Sequence, residues 1–313
     1  MSDLVSVVIT TYNRSREILY RAVNSIINQT YTYLEILIVD DNHDSDKLDV
    51  DTIESLESLD DRIKYLSYPG NHGASYARNY GANVAIGAYI AFLDDDDEYL
   101  PDKIKKQIDM IGRDKEYALV TCDSEYVFLD GDGLATGRKI LRQFESESIS
   151  LEDILLSGQS GVPIPLFRLE FFKQVGGFDN QLQSSQDLDL WIRLAQIGKV
   201  GRVPEVLFRV YWHTGERIST NVKAKVSGNR AITRRYSYLA HNRRGFLIRQ
   251  DLDLAEVLFA AGRFFGGIWY VIHAMAHSPS ESGRERMKRL VRYGITRFHE
   301  EHLSAFRRNS AHR

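Results

Sequence analysis

The run VSVVITTY, residues 5–12, is almost wholly β-branched and stops at Asn13 and Ser15. A continuous apolar stretch closed by turn-favouring residues reads as a strand buried on both faces. Working outward, residues 15–28 place Ile18, Leu19, Val23, Ile26 and Ile27 at helical spacing. LEILIVDD (34–41) is a second buried strand, DRIKYLSY (61–68) a third with alternation, and AYIAFLD (88–94) a fourth, preceded by a helix over 73–84. Such an alternation predicts an α/β fold, a mostly parallel sheet with helices on both faces. In open sheets of this kind ligands bind beyond the carboxyl ends of the strands. Residues 10–14, 40–44, 68–72 and 94–98 therefore carry the interest.

The remainder is mixed and then helical. EYALVTCDSEYVFLD (116–130) is strand-like, DGDG (130–133) a turn, and LEDILL (151–156) and SQDLDLWIRLAQIG (185–198) helical. VLFRVYWH (206–213) reads as a strand ending in His213. From 221 onward the pattern is helical, with breaks expected at the glycines near 245, 266 and 283. No internal repeat or low-complexity linker interrupts the chain.

Composition narrows the class. An apolar content of 43% and a charged content of 27% over 313 residues describe an ordinary globular chain. A single cysteine, Cys122, excludes a disulfide framework and a thiolate metal site. No basic stretch leading into an apolar one opens the sequence, so no secretory leader is expected. FFGGIWYVIHAMA (264–276), at 13 residues, is too short to span a bilayer. The net charge of −3 conceals an asymmetry: residues 220–313 carry 18 basic against 7 acidic residues, and residues 1–219 carry 22 against 36. Two parts so different in charge suggest different partners. The acidic body and the absence of a recognisable module argue against nucleic acid.

The chemistry-bearing stretches begin with AFLDDDDEYLPDKI (91–104). Like charges this close resist ionising together unless a cation shares the site. Asp94 and Asp96, two apart on a turning loop, can both reach one hard cation such as Mg²⁺ or Mn²⁺. The loop fails as an EF-hand, because Tyr99 and Lys105 stand where glycine and glutamate are needed. Its plainer reading is a solvated turn with Pro101 opening a helix. Asp41 ends the second strand, either as a ligand for a base or ribose or as an Asx turn before a helix cap. Residues 70–79, GNHGASYARN, form a glycine-bearing turn into a helix, able to offer N–H groups to phosphate, with Arg78 about one turn inside. Asp187 and Asp189 are two apart on a helix and so point to different faces. His213 alone is a weak candidate for a metal ligand.

In this order, VSVVITTYNR, EILIVDDNHD, GASYARNYGA, FLDDDDEYLPDKI and GGFD…QDLDLWIRL closely resemble the inverting family-2 glycosyltransferases with the GT-A fold, over about residues 4–215. The resemblance implies a catalytic domain at 1–220, with 1–112 its nucleotide-binding half and 113–220 its acceptor-binding half, followed by a basic helical region at 221–313. It implies that Thr10, Tyr12, Arg14 and Asp41 hold base and ribose, that Arg78 lies near the diphosphate, and that Asp94 or Asp95 lies closer to ribose. Asp96 and Asp94 would ligate Mn²⁺ or Mg²⁺, with His213 in the place of a further metal contact. Asp187 would be the catalytic base, with Asp189 as fallback. Gln186 departs from the commoner glutamate before that base, which should lower the base's pKa slightly.

The processive Gln-x-x-Arg-Trp signature is absent, so transfer of a single sugar is expected, from a nucleotide-sugar such as a UDP-sugar to a glycan or lipid-linked glycan. The expected setting is cytoplasmic, peripheral at the inner face of the membrane. Residues 284–306 contribute to that expectation, having an apolar stripe and a crowd of arginines suited to an anionic surface or to packing against the body or a homo-oligomer partner. The rivals are a catalytically silent sugar-nucleotide-binding or assembly subunit and a nucleotidyltransferase. The latter would need a glycine-rich, lysine-bearing loop where this chain has TTYNRSRE.

Overall fold

The computed structural model describes residues 3–142, 144–158, 161, 164–212 and 221–277. His213 and residues 284–306 lie outside them. Strands and helices alternate strictly at first: β1 (Val5–Thr11), α1 (Arg16–Ile27), β2 (Leu34–Asp40), α2 (Val50–Glu57), β3 (Ile63–Ser67), α3 (Ala74–Val84) and β4 (Tyr89–Asp94). There follow β5 (Glu98–Tyr99), α4 (Lys103–Ile111), β6 (Tyr117–Leu129), β7 (Ala135–Leu141), β8 (Ser148–Ile149) and α5 (Leu151–Ser157). Next come β9 (Leu166–Arg168), α6 (Leu169–Gln174), α7 (Gln186–Ala195) and β10 (Lys199–Trp212). The helices α8 (Val222–Tyr236), α9 (Arg243–Ala260) and α10 (Phe264–His277) complete the described chain. Two compact units result, one built on the sheet and one on α8–α10, the second also taking in residues 155–158 and 182–185.

The sheet order is β3-β2-β1-β4-β9-β6-β10-β5, with β7 on β6 and β8 on β10. β1 is parallel to both β2 and β4, and β2 to β3. The short β9 is antiparallel to both β4 and β6, so β6 and its parallel neighbour β10 run in the direction of β4. The expected mostly parallel α/β sheet is what forms.

Both faces are covered because successive side chains point to opposite sides. Val5, Val7 and Ile9 are fully buried in one core with Leu19, Val23 and Ile26 of α1. Each such burial contributes about 1.5–3 kcal/mol. Val8 points the other way, beneath α3, where a Cβ on Gly81 would stand 2.6 Å from its methyl carbon. On that same side Phe92 meets Phe172 and Phe178 at ring separations of 5.4 and 5.3 Å.

One element was not foreseen, and two sequence expectations change. The polar helix α2 forms over a stretch with no clear apolar stripe, started by the Asp49 carboxylate accepting from the Thr52 N–H at 2.7 Å. The α4 helix begins at Lys103, with Pro101 in the preceding turn rather than at its first position. Gly245 and Gly266 lie inside α9 and α10, and the breaks fall instead at 237–242 and 261–263. No helix among the described residues is long and apolar enough to cross a membrane.

Candidate active site

The chain leaves β1 toward β2 on one side and later returns to β4 on the other, so the strand order reverses at β1. Thr10 stands opposite Asp94 across that seam. A reversal of this kind opens a crevice beyond the carboxyl ends of the two strands, the usual ligand position in such sheets. The loops leaving β1 and β4 meet there.

Arg14 joins them. Its Nε donates to Asp95 Oδ1 at 2.8 Å and its Nη2 to Asp96 Oδ2 at 3.0 Å. The Tyr12 N–H donates to the other Asp95 oxygen at 3.2 Å, leaving the Tyr12 ring half exposed. Arg21, from α1, donates to the Asp96 carbonyl at 2.7 Å. Arg78, from α3, pairs with Asp94 Oδ1 at 2.5 Å. In the described structure, then, the counter-charge for the acidic loop is arginine. Burial lifts the Asp95 carboxyl to about 6, with Arg14 pulling it back and Asp96 adding to the rise. Against the pull of its own burial, the charges of Asp95 and Asp96 hold the Arg14 guanidinium above its ordinary value.

Asp41 shapes the neighbouring turn. Its carboxylate is buried and accepts from Tyr68 Oη at 2.7 Å, the His72 N–H at 2.8 Å and the Gly73 N–H at 2.9 Å. Gly73 adopts φ +86°, which other residues rarely take, and so lets α3 start abruptly. Asp41 was expected at the base or ribose. The structure places its carboxylate within the turn that launches the Arg78 helix. Arg78 itself is the least satisfied group here: its side chain is 6% exposed, and Nε and Nη1 find no hydrogen-bond partner among the described residues. Buried donors of this sort cost free energy unless an acceptor arrives.

Asp187 lies in the first turn of α7, half buried, with Oδ1 accepting from the Leu188 N–H at 2.8 Å. Asp189 is 1% exposed and ion-paired with Arg193 at 2.7 Å. The two carboxylates thus face different surroundings, as their spacing predicted. The Gln186 Oε1 is buried and finds no hydrogen-bond partner among the described residues.

Sequence reasoning overlooked Arg21, Glu98, Arg209 and Tyr211. Arg21 lies 3.9 Å over the Tyr211 ring, and Glu98 accepts from Arg209 at 3.1 Å and from Tyr211 Oη at 2.9 Å. Together they fix the far end of the acidic loop to β10. Only the Glu98 charge was visible in advance, because the pairing of β5 with β10 is non-local.

For a metal, the donor chemistry fits a hard divalent cation. Asp94 and Asp96 are carboxylates two residues apart, both partly exposed. Among the described residues no group of three or more ligating side chains converges. Two carboxylates of this kind are a common protein contribution to a Mg²⁺ or Mn²⁺ site that substrate phosphates complete.

Known proteins resemble this chain in sequence or in fold. An uncharacterized glycosyltransferase of Rickettsia typhi is 31% identical over 70% of this chain and 67% of its own length. One of Methanocaldococcus jannaschii is 32% identical over 61% of this chain, which spans 64% of that relative. TuaG of Bacillus subtilis, named for teichuronic acid biosynthesis, is 30% identical over 62% of this chain and 73% of its own. The crystal structure of S. aureus TarS 1–349 in complex with UDP-GlcNAc superposes with a TM-score of 0.62 at 17% identity, covering 94% of this chain and 88% of that one. At that identity it speaks for the fold, a GT-A arrangement. The sequence model of the family described as Glycosyl transferase family 2 matches residues 6–170, more than half of the chain, and the protein is a member of that family of transferases.

Proposed function

We propose that the protein transfers a single sugar from a nucleotide-sugar, a UDP-sugar, to a hydroxyl of a glycan or lipid-linked glycan, with inversion at the anomeric carbon. The observation that carries this reading is Arg78: a buried guanidinium with two donors that find no partner among the described residues, at the crevice between β1 and β4. A diphosphate satisfies exactly such a deficit with charge-assisted hydrogen bonds. The uridine nucleotide is supported by the ligand in the TarS structure, and the glycan acceptor by the name of TuaG.

In this reading Thr10, Tyr12 and Arg14 border the base and ribose, and Asp95, clamped by Arg14 and the Tyr12 N–H, fixes the shape of that wall. Asp41 positions the turn from which α3 delivers Arg78. Asp96 and Asp94 would hold Mn²⁺ or Mg²⁺, and such an ion supplies neutralisation of the charge that grows on the departing diphosphate. Asp187, half buried and oriented by the Leu188 N–H, takes the proton from the attacking hydroxyl. A positioned base of this kind contributes roughly 10²–10⁴-fold. Asp189 is engaged with Arg193 and serves the helix instead.

The test is incubation of the full chain with a panel of nucleotide-sugars, Mn²⁺ and glycan acceptors, following nucleotide release and the configuration of the product. Turnover with an inverted linkage is expected. Nucleotide binding without any release would favour the silent binding subunit, and a retained configuration would overturn inversion.

A further inference from the structure

The stretch GGFD (176–179) follows α6 and comes back against α3, the helix that carries Arg78. Gly176 and Gly177 adopt φ of +81° and +69°, a left-handed pair that side chains rarely tolerate. Gly177 also lies so close to α3 that a Cβ on it would stand 2.5 Å from Asn79 Oδ1 and 3.2 Å from the Phe172 ring. The two glycines thus let the backbone of Phe178 reach Asn79. Its Oδ1 accepts from the Phe178 N–H at 2.9 Å, and its Nδ2 donates to the Phe178 carbonyl at 2.9 Å and to Asn180 Oδ1 at 3.1 Å. An amide side chain offers an acceptor and donors in one plane, so it fixes the rotation of Phe178 as well as its distance.

The Phe178 ring is buried and packs on Phe92 of β4 at 5.3 Å and on Phe172 of α6 at 5.5 Å. Its centroid lies 5.8 Å from the guanidinium carbon of Arg78. That separation is within reach of a cation–π attraction, which grows where water is excluded, as it is around this nearly buried side chain. Arg78 is thus held by Asp94 through Nη2 and by an aromatic ring, and neither contact spends its Nε and Nη1 donors. Asn79 follows Arg78 on α3 and so projects about 100° round the helix from it.

We propose that Asn79 and Phe178 are positioning residues for diphosphate recognition. Asn79 clamps the backbone of Phe178, and the Phe178 ring is the wall that keeps the Arg78 guanidinium turned with two donors available to the ligand. The proposal rests on the reading that Arg78 meets the diphosphate, and it gives the GGF turn a part in that recognition.

The experiment is titration calorimetry of the full-length protein with UDP, on Phe178→Leu and Asn79→Ala, each alone and combined with Arg78→Met, with thermal unfolding run on every variant. Phe178→Leu keeps an apolar side chain and removes the π face, which Phe178→Tyr restores. Phe178→Leu and Asn79→Ala should each weaken UDP binding roughly threefold to tenfold, with Phe178→Tyr within about twofold of wild type. In the Arg78→Met background the same two changes should weaken it no further, because their effect passes through the guanidinium. A turn that only fastens α6 to α3 would lower the melting temperature and leave UDP affinity unchanged, and that result overturns the proposal. So would an equal weakening with and without Arg78. Should Asn79→Ala fail to fold, Phe178→Leu in the two backgrounds decides. Wild-type protein that binds no UDP would overturn the transfer reading and this proposal together, whereas UDP bound equally by wild type and Phe178→Leu overturns the proposal alone.

Discussion

Asp189 is locked to Arg193 one helical turn away, with Arg193 Nε at 2.8 Å and Nη2 at 2.7 Å from the same carboxylate oxygen. Arg193 also donates to the Val175 carbonyl at 2.7 Å, so the pair fastens α7 to the segment after α6. Two residues earlier, Asp187, the proposed base, is half buried in the first turn of α7 and its Oδ1 accepts from the Leu188 N–H at 2.8 Å. Asp187→Asn should therefore lower kcat by roughly 10²–10⁴-fold with nucleotide affinity kept, measured by turnover and thermal shift in parallel. Asp189→Asn should instead cost about 3 kcal/mol of stability, the low end for breaking a buried pair. Normal turnover by Asp187→Asn would dismiss it as the base.

Arg78→Met tests the diphosphate assignment. Loss of charge-assisted hydrogen bonds is worth about 1.5–3 kcal/mol, or roughly a tenfold or greater weakening of UDP binding by titration calorimetry. Two of the guanidinium donors have no partner among the described residues, but the substitution also breaks the Asp94 pair, so the unliganded variant should lose some stability and its UDP affinity is to be read on folded protein. Undiminished UDP affinity would remove Arg78 from the site.

Metal dependence has two readouts. EDTA should abolish sugar transfer, and Mn²⁺ or Mg²⁺ should restore it. In the presence of UDP, Mn²⁺ should also raise the melting temperature of the wild type, by about 2.7 kcal/mol of stabilisation at 100 times its Kd. Asp96→Asn should blunt that rise. Full transfer after exhaustive chelation would refute the assignment of Asp94 and Asp96.

A pH effect belongs to Lys103. Its ammonium is fully buried, donates to Gln107 Oε1 at 2.9 Å and lies 3.7 Å over the Tyr99 ring. Burial lowers its pKa to about 7. The unfolded chain keeps the ordinary value near 10.5, so between these two values the unfolded state binds the extra proton and stability falls as pH drops. Lys103→Met should therefore gain in melting temperature relative to wild type on going from about pH 10 to about pH 7, with the difference levelling off below that. A difference independent of pH would mean that the lysine stays charged in the fold.

Much of the fold was readable in advance wherever an element is determined by its own residues. β1, β2 and β4 are continuous apolar runs because both faces of the sheet are covered, and α1 shows its buried stripe in the spacing alone. β5 and β9, at two and three residues, carry no such signal and exist only through their partners β10, β4 and β6. Gly245 and Gly266 misled because a glycine's cost in a helix is about 1 kcal/mol, which α9–α10 packing outweighs.

For the site, the primary structure by itself determined which loops would converge: Thr10–Arg14, Asp41 and Asp94–Asp96 each follow a strand, and parallel strands deliver their ends to one edge. What only the tertiary structure decided was the pairing of charges. Arg14 and Arg21, some eighty residues from the acidic loop, neutralise and clamp it, and Arg78 is left with donors unspent. The physical reason is that strand identity rests on local hydrophobic pattern, whereas an ion pair depends on a few ångströms of separation that no local pattern encodes.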